Sequence, residues 1–110
     1  TMMCECNFDE DVPELYQSIQ KKNWTDSTRL ADAYPEQAST WIFRKEKNGK
    51  LRWKLLPLHA AIIFKAPENV VESLLVAYPD GSRCTDDQGM LPIHLAFRNG
   101  GSVGIVNILL

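Results

Sequence analysis

The sequence predicts an all-α chain, a stack of about three helix-loop-helix units with a β-hairpin inserted after the first unit. Three observations carry that expectation. The hexapeptide Leu56-Pro57-Leu58-His59-Ala60-Ala61 returns 35 positions later as Leu91-Pro92-Ile93-His94-Leu95-Ala96. The same shift carries Val70-Val71 onto Ile105-Val106 and Leu74-Leu75 onto Leu109-Leu110, and self-similarity at a fixed period marks repeat architectures. Between the first two units the hydrophobic period changes from helical to two.

Composition is that of one soluble domain: 110 residues, 45% hydrophobic, 24% charged, formal net charge −2. No apolar run approaches the roughly 18 residues that cross a bilayer, and residues 1–10 lack the basic-then-apolar order of a secretory signal. The three cysteines cannot all pair within one chain, and Cys4 and Cys6 are too close together for ordinary disulfide geometry. A reducing, intracellular setting follows, cytoplasm or nucleus. The apolar run at residues 103–110 leads us to expect further units beyond it.

The first unit, residues 13–35, is the faintest copy. Pro13 and Tyr34 are 21 apart, as are Pro57 and Tyr78, and each tyrosine precedes a proline, Pro35 or Pro79. Its offset from the second unit is 44 rather than 35, so nine extra residues lie between Pro35 and Leu56, and Leu15 falls where His59 stands later. Asp9, Glu10, Asp11 and Glu14 precede or open its first helix, where carboxylates suit the positive end of the dipole. The extra residues belong to the insertion, residues 40–55. There Trp41, Phe43, Lys45 and Lys47 alternate on one side and Leu51, Trp53 and Leu55 on the other, around Asn48-Gly49. This is the strongest short-range hairpin signal, and a type I′ turn would need positive φ at both central residues.

In the second unit, residues 56–90, Leu58, Ala61 and Ile62, then Val70, Val71, Leu74 and Leu75, fall at helical spacing. Pro57 and Pro67 suit first helical turns, and Tyr78-Pro79 ends the second helix. The third unit, residues 91–110, is truncated. Asn99-Gly100-Gly101-Ser102 breaks it, with Ser102 as N-cap. Helices this short are marginal alone, so neighbouring units must supply the core.

The hexapeptide, followed by Val70-Val71-Glu72-Ser73-Leu74-Leu75 and Asp86-Asp87-Gln88-Gly89, resembles the ankyrin repeat, whose signature is Thr-Pro-Leu-His-x-Ala in about 33 residues. The likeness covers residues 56–110 well and 13–35 weakly. Its motif positions are Leu56, Pro57, His59, Ala61, Gly89, Leu91, Pro92, His94 and Ala96. Leu56 and Leu91 depart from it by replacing the threonine, and Tyr78-Pro79 replaces the glycine that ends the second helix. The resemblance implies stacked helix pairs with loops on one side, a role in gripping other proteins, and no chemistry of its own.

His59 and His94 are the only histidines. Equivalent positions in adjacent units lie about 8–10 Å apart, whereas two ligands of one zinc each sit about 2 Å from the ion. A shared metal is disfavoured, and each imidazole is expected to bond backbone in its own turn. Cys4-x-Cys6 is not a usual zinc spacing, and Cys84 reads as a small packed residue. The sequence contains no Gly-rich phosphate loop, nucleophile elbow or His-Glu-x-x-His. We therefore expect no metal, cofactor or catalytic residue.

Charge singles out the hairpin. Arg44, Lys45, Lys47, Lys50, Arg52 and Lys54 are six of the twelve basic residues, set against Glu46 alone, so residues 44–54 carry +5 and the remainder −7. A basic finger on an acidic body steers toward an acidic protein partner, and the association should weaken with salt. Trp41, Phe43 and Trp53 add aromatic area of the kind that dominates interfaces. The competing structural reading packs these aromatics onto the helices and leaves the lysines as a solvated face that discourages edge pairing. Nucleic acid is disfavoured, because the acidic body repels phosphates. The expected function is protein–protein interaction through Trp41, Phe43, Arg44, Lys45, Lys47, Lys50, Arg52 and Trp53. The alternatives are a regulatory or scaffolding arm of a larger multidomain enzyme, or binding of RNA or anionic lipid through the hairpin.

Overall fold

The computed structural model describes residues 5–110. Within it, the turns that close each helix pair are three or four residues long, which sets paired helices side by side. The first pair is α1 (Glu14–Gln20) and α2 (Trp24–Ala33), the second α3 (Pro57–Ile63) and α4 (Glu68–Ala77), the third α5 (Pro92–Arg98) and α6 (Val103–Leu109). Two rows result, α1 on α3 on α5 and α2 on α4 on α6. They bury Leu15, Ile19, Leu30, Leu58, Ile62, Val70, Val71, Leu74, Leu95 and Ile105 in one cluster. Pro57 and Pro92 open their helices at the first position, where a missing N–H leaves nothing unpaired. Ser102 caps α6, its hydroxyl accepting from the Ile105 N–H at 3.2 Å.

The expected all-α class is corrected by a mixed sheet. Strand β1 (Glu5–Asn7) runs parallel to β2 (Trp41–Lys45), and β2 is antiparallel to β3 (Leu51–Leu55). Among the described residues the fold is mixed α/β, six α-helices and one three-stranded sheet. The missing strand has a physical explanation: Glu5-Cys6-Asn7 is too short for an alternation to register, and a parallel partner lies across a whole helical crossover, where no local signal points to it.

Two further expectations change. Asn48 does not adopt positive φ, so the connection is not a type I′ turn. Instead the Gly49 N–H donates to the Glu46 carbonyl at 2.9 Å, and Gly49 alone takes the left-handed conformation, φ +84, the arrangement of a longer hairpin loop closed by glycine. The first unit is also out of step by one. Its inter-helix turn is a residue shorter, so α1 matches α3 at an offset of 43 while α2 matches α4 at 44. Tyr16, not Leu15, therefore occupies the helical position of His59.

Polar groups tie the first unit together. The Ser18 hydroxyl donates to the Leu15 carbonyl at 2.6 Å and lies 2.8 Å from the buried Ser27 hydroxyl, linking α1 to α2. The Gln37 side-chain oxygen, on the 3-10 turn Pro35–Ser39, accepts from the Leu15 N–H at 2.9 Å and satisfies an open donor at the start of α1.

Candidate functional site

Residues opposite each other on paired strands share a face, and successive residues alternate. Ile42 pairs with Leu55 and Arg44 with Trp53, while Phe43 pairs with Lys54 and Lys45 with Leu51. The ladder slips between Arg44 and Lys45, which leaves Arg52 without a residue opposite it. The two tryptophans of the hairpin therefore lie on different faces, Trp53 with Ile42 toward α1 and α3, and Trp41 with Phe43 on the far side.

The helix-facing side forms an aromatic cleft of about 290 Å³ lined by Phe8, Tyr16, Gln20, Arg44, Trp53, Leu55, Ala60, Ile63 and Phe64. The Tyr16 and Trp53 rings stack at 6.3 Å between centroids, and Phe8 sets its edge against both, at 6.1 and 5.5 Å. Such pairs contribute about 0.5–1.5 kcal/mol each beyond their buried area. Burial pushes the Tyr16 hydroxyl up to about 12, so it stays protonated and keeps the cleft neutral at that wall. The Arg44 guanidinium lies 5.0 Å above the Phe8 ring and grips the Asp9 carboxylate at 3.3 Å. Asp9 is thus an ion-pair partner of the hairpin.

The far side is organised around His59. Its Nδ1 accepts from the Leu56 N–H at 2.9 Å, and its Nε2 lies 2.9 Å from the Cys84 carbonyl. A nitrogen that accepts from an amide carries no proton, so the proton sits on Nε2 and is donated to Cys84, joining the second unit to the turn before the third. Trp41, 9% exposed, covers this imidazole at 5.9 Å between ring centres. Beside it Trp41, Leu51, Lys54, Thr85, Asp86 and Asp87 line a hollow of about 230 Å³. The Asp87 side chain accepts from the Lys54 N–H, and the Asp87 N–H donates to the Lys54 carbonyl, both at 3.0 Å, so the Asp86-to-Met90 turn is stitched to the outer edge of β3. Gly89 holds that turn at φ +78.

His94 repeats half of this arrangement. Its Nδ1 accepts from the Leu91 N–H at 3.2 Å, but the ring is exposed. The surrounding surface follows suit: Ile62 is 5% exposed under α5, whereas its counterpart Phe97 is 67% exposed.

Of the hairpin cations, Lys54 pairs with Glu5 and also lies over Trp41, Arg44 pairs with Asp9, and Lys45 lies 5.6 Å from the Phe43 ring centre. Lys47, Lys50 and Arg52 are exposed and make no ion pair among the described residues. Phe8, Tyr16, Ile63 and Phe64 were not predicted as site residues. The signal lay in Phe8-Asp9, an aromatic-acid pair ahead of the first helix, but only the parallel strand brings it to the hairpin. Among the described residues no three His, Cys, Asp or Glu side chains gather as metal ligands, and Cys4 lies outside those residues. No described helix is long and apolar enough to cross a membrane.

No protein-family model, curated protein or solved structure matches this chain.

Proposed function

We propose that this chain is a protein-interaction module of the ankyrin-repeat kind, presenting its sheet to an acidic protein partner and using the stacked helices as a rigid support. The observation that carries this reading is the set of four exposed cations, Lys45, Lys47, Lys50 and Arg52, left without acids among the described residues on a hairpin whose Arg44 and Lys54 are already paired. Such groups steer encounter and set partner choice, and the adjoining aromatic cleft supplies apolar area for an anchor. A preformed support limits the ordering entropy lost on binding. The module works in the reducing cytoplasm or nucleus; the odd number of cysteines and the close spacing of Cys4 and Cys6 support that placement.

The test is capture of partners by the intact chain beside Lys47→Glu/Lys50→Glu/Arg52→Glu, in which residues 44–54 pass from +5 to −1. The variant is expected to fold with stability unchanged within about 0.5 kcal/mol, since all three positions are exposed. It should bind the captured partner at least about tenfold more weakly, and the intact complex should weaken between about 50 and 300 mM salt. The same partners bound with equal affinity by both chains would overturn the reading.

A further inference from the structure

Residues 5–9 already show what the hairpin accepts. Strand β1 adds to the edge of β2 in parallel register, Glu5 opposite Trp41, Cys6 opposite Ile42 and Asn7 opposite Phe43, and the Phe8 N–H closes the ladder on the Phe43 carbonyl at 2.8 Å. Along this segment Glu5 pairs with Lys54, Phe8 sets its edge against the stacked Tyr16 and Trp53, and Asp9 pairs with Arg44. Backbone pairing supplies attachment, an aromatic fills the cleft, and acids three residues before it and directly after it meet the basic residues. These are the components by which an extended peptide is recognised at a sheet edge.

The attachment is short. The ladder spans three residues, and both ion pairs are partly exposed, with side chains 29–52% accessible, a setting in which solvent screening leaves such pairs weak. Phe8 itself is only half-buried, unlike the fully buried Ile42 beside it on the same face.

We propose that residues 5–9 are a strap occupying the chain's own docking site, and that the partner is a protein carrying an extended segment of the same chemistry, an aromatic side chain with a carboxylate three residues before it and another directly after it. The partner segment replaces the strap on β2, places its aromatic beside Tyr16 and Trp53, and pairs its acids with Arg44 and Lys54. Opening of the strap precedes capture, so apparent affinity is reduced by the fraction of chains in which the edge is free. This rests on the reading of the hairpin as a surface for acidic proteins.

The probe is a fluorescein-labelled peptide, Glu-Ser-Asn-Phe-Asp-Glu, equivalent to residues 5–10 with serine in place of Cys6. Its binding is followed by anisotropy to the full chain and to the full chain carrying Phe8→Ala and Asp9→Asn. The strap-loosened chain should bind at least about tenfold more tightly than the native one, and the same peptide with alanine for phenylalanine should lose that gain. A second measurement needs no variant: in the native chain the Phe8 amide should exchange with solvent at least about 100-fold faster than amides of α3 and α4, at a rate insensitive to low denaturant. Equal peptide affinities for the two chains, or a Phe8 amide that exchanges only with global unfolding, overturns the strap. The two proposals fail separately. Peptide binding absent from the loosened chain while the Lys47/Lys50/Arg52 reversal still abolishes partner capture sinks the strap and leaves the interaction reading standing.

Discussion

His59→Ala should remove about 3–5 kcal/mol of stability, a large share of what a single small domain holds. The imidazole is fully buried, and it satisfies the Leu56 N–H and the Cys84 carbonyl together. Truncation leaves both without a partner and opens a cavity between the second and third units. His59→Leu, which fills the volume, should still lose about 2–3 kcal/mol through the two orphaned groups. His94→Ala is the internal control. Its ring is exposed and makes a single 3.2 Å bond, so about 1 kcal/mol or less is expected. Urea denaturation at fixed pH separates these cases, and comparable losses at the two histidines would contradict the bridge.

The same geometry sets a pH dependence. Burial holds the His59 imidazole below its ordinary 6.5, outweighing the Cys84 carbonyl and the nearby Asp86 and Asp87, which pull it upward. The folded state therefore binds its proton later than the unfolded state does. Between those two values the unfolded chain carries more protons, and stability falls as pH falls. Above about 6.5 His59 contributes no slope; from there down through the folded value it removes stability progressively. His59→Gln should flatten that portion of the profile, which a pH series of urea denaturations checks.

Trp41→Ala should rank next, at about 3–5 kcal/mol. Sequence places Trp41 among the partner-contacting aromatics, but the indole is 9% exposed, lies over His59 and lines the hollow closed by Thr85, Asp86 and Asp87. Its loss should lower thermal stability and weaken the coupling of His59 to Cys84. Phe43→Ala, two residues on and half-buried beside Lys45, should cost about 1–2 kcal/mol. A Trp41→Ala chain with unchanged melting temperature and impaired partner binding would return this residue to the interface.

What the sequence makes legible is local. Pro57 and Pro92 mark helix starts because proline fits the first turn. Tyr34-Pro35 and Tyr78-Pro79 follow the ends of α2 and α4 because proline disfavours helix in the residue before it. The 35-residue spacing places Leu56 and Leu91 before helices of equal length whose third-position histidines both reach back to the preceding N–H. Longer-range features leave no such trace. Glu5-Cys6-Asn7 has no recognisable pattern until Trp41-Ile42-Phe43 lies beside it, and with that strand goes the fold class. The aromatic cleft is assembled from the residue after β1, from α1, from both hairpin strands and from α3, and no one of these segments contains its signature. Alternation across the hairpin does encode the separation of Trp53 from Trp41, but not which face meets helices. The one-residue shortening of the first inter-helix turn is invisible as well, because Pro13 and Pro35 keep the spacing of Pro57 and Pro79 while the residues between them shift.

Amide exchange of the chain alone and in complex with its captured partner tests the central claim most directly, because the sheet competes with the exposed apolar face of α5 and α6 as the surface that binds. Slowed exchange should concentrate in the Trp41–Lys45 and Leu51–Leu55 strands and the loop between them, together with the cleft-lining turn of α3 at Ile63 and Phe64. Protection confined to the helices that carry Ile93, Phe97 and Val103, with the hairpin unchanged, would contradict it.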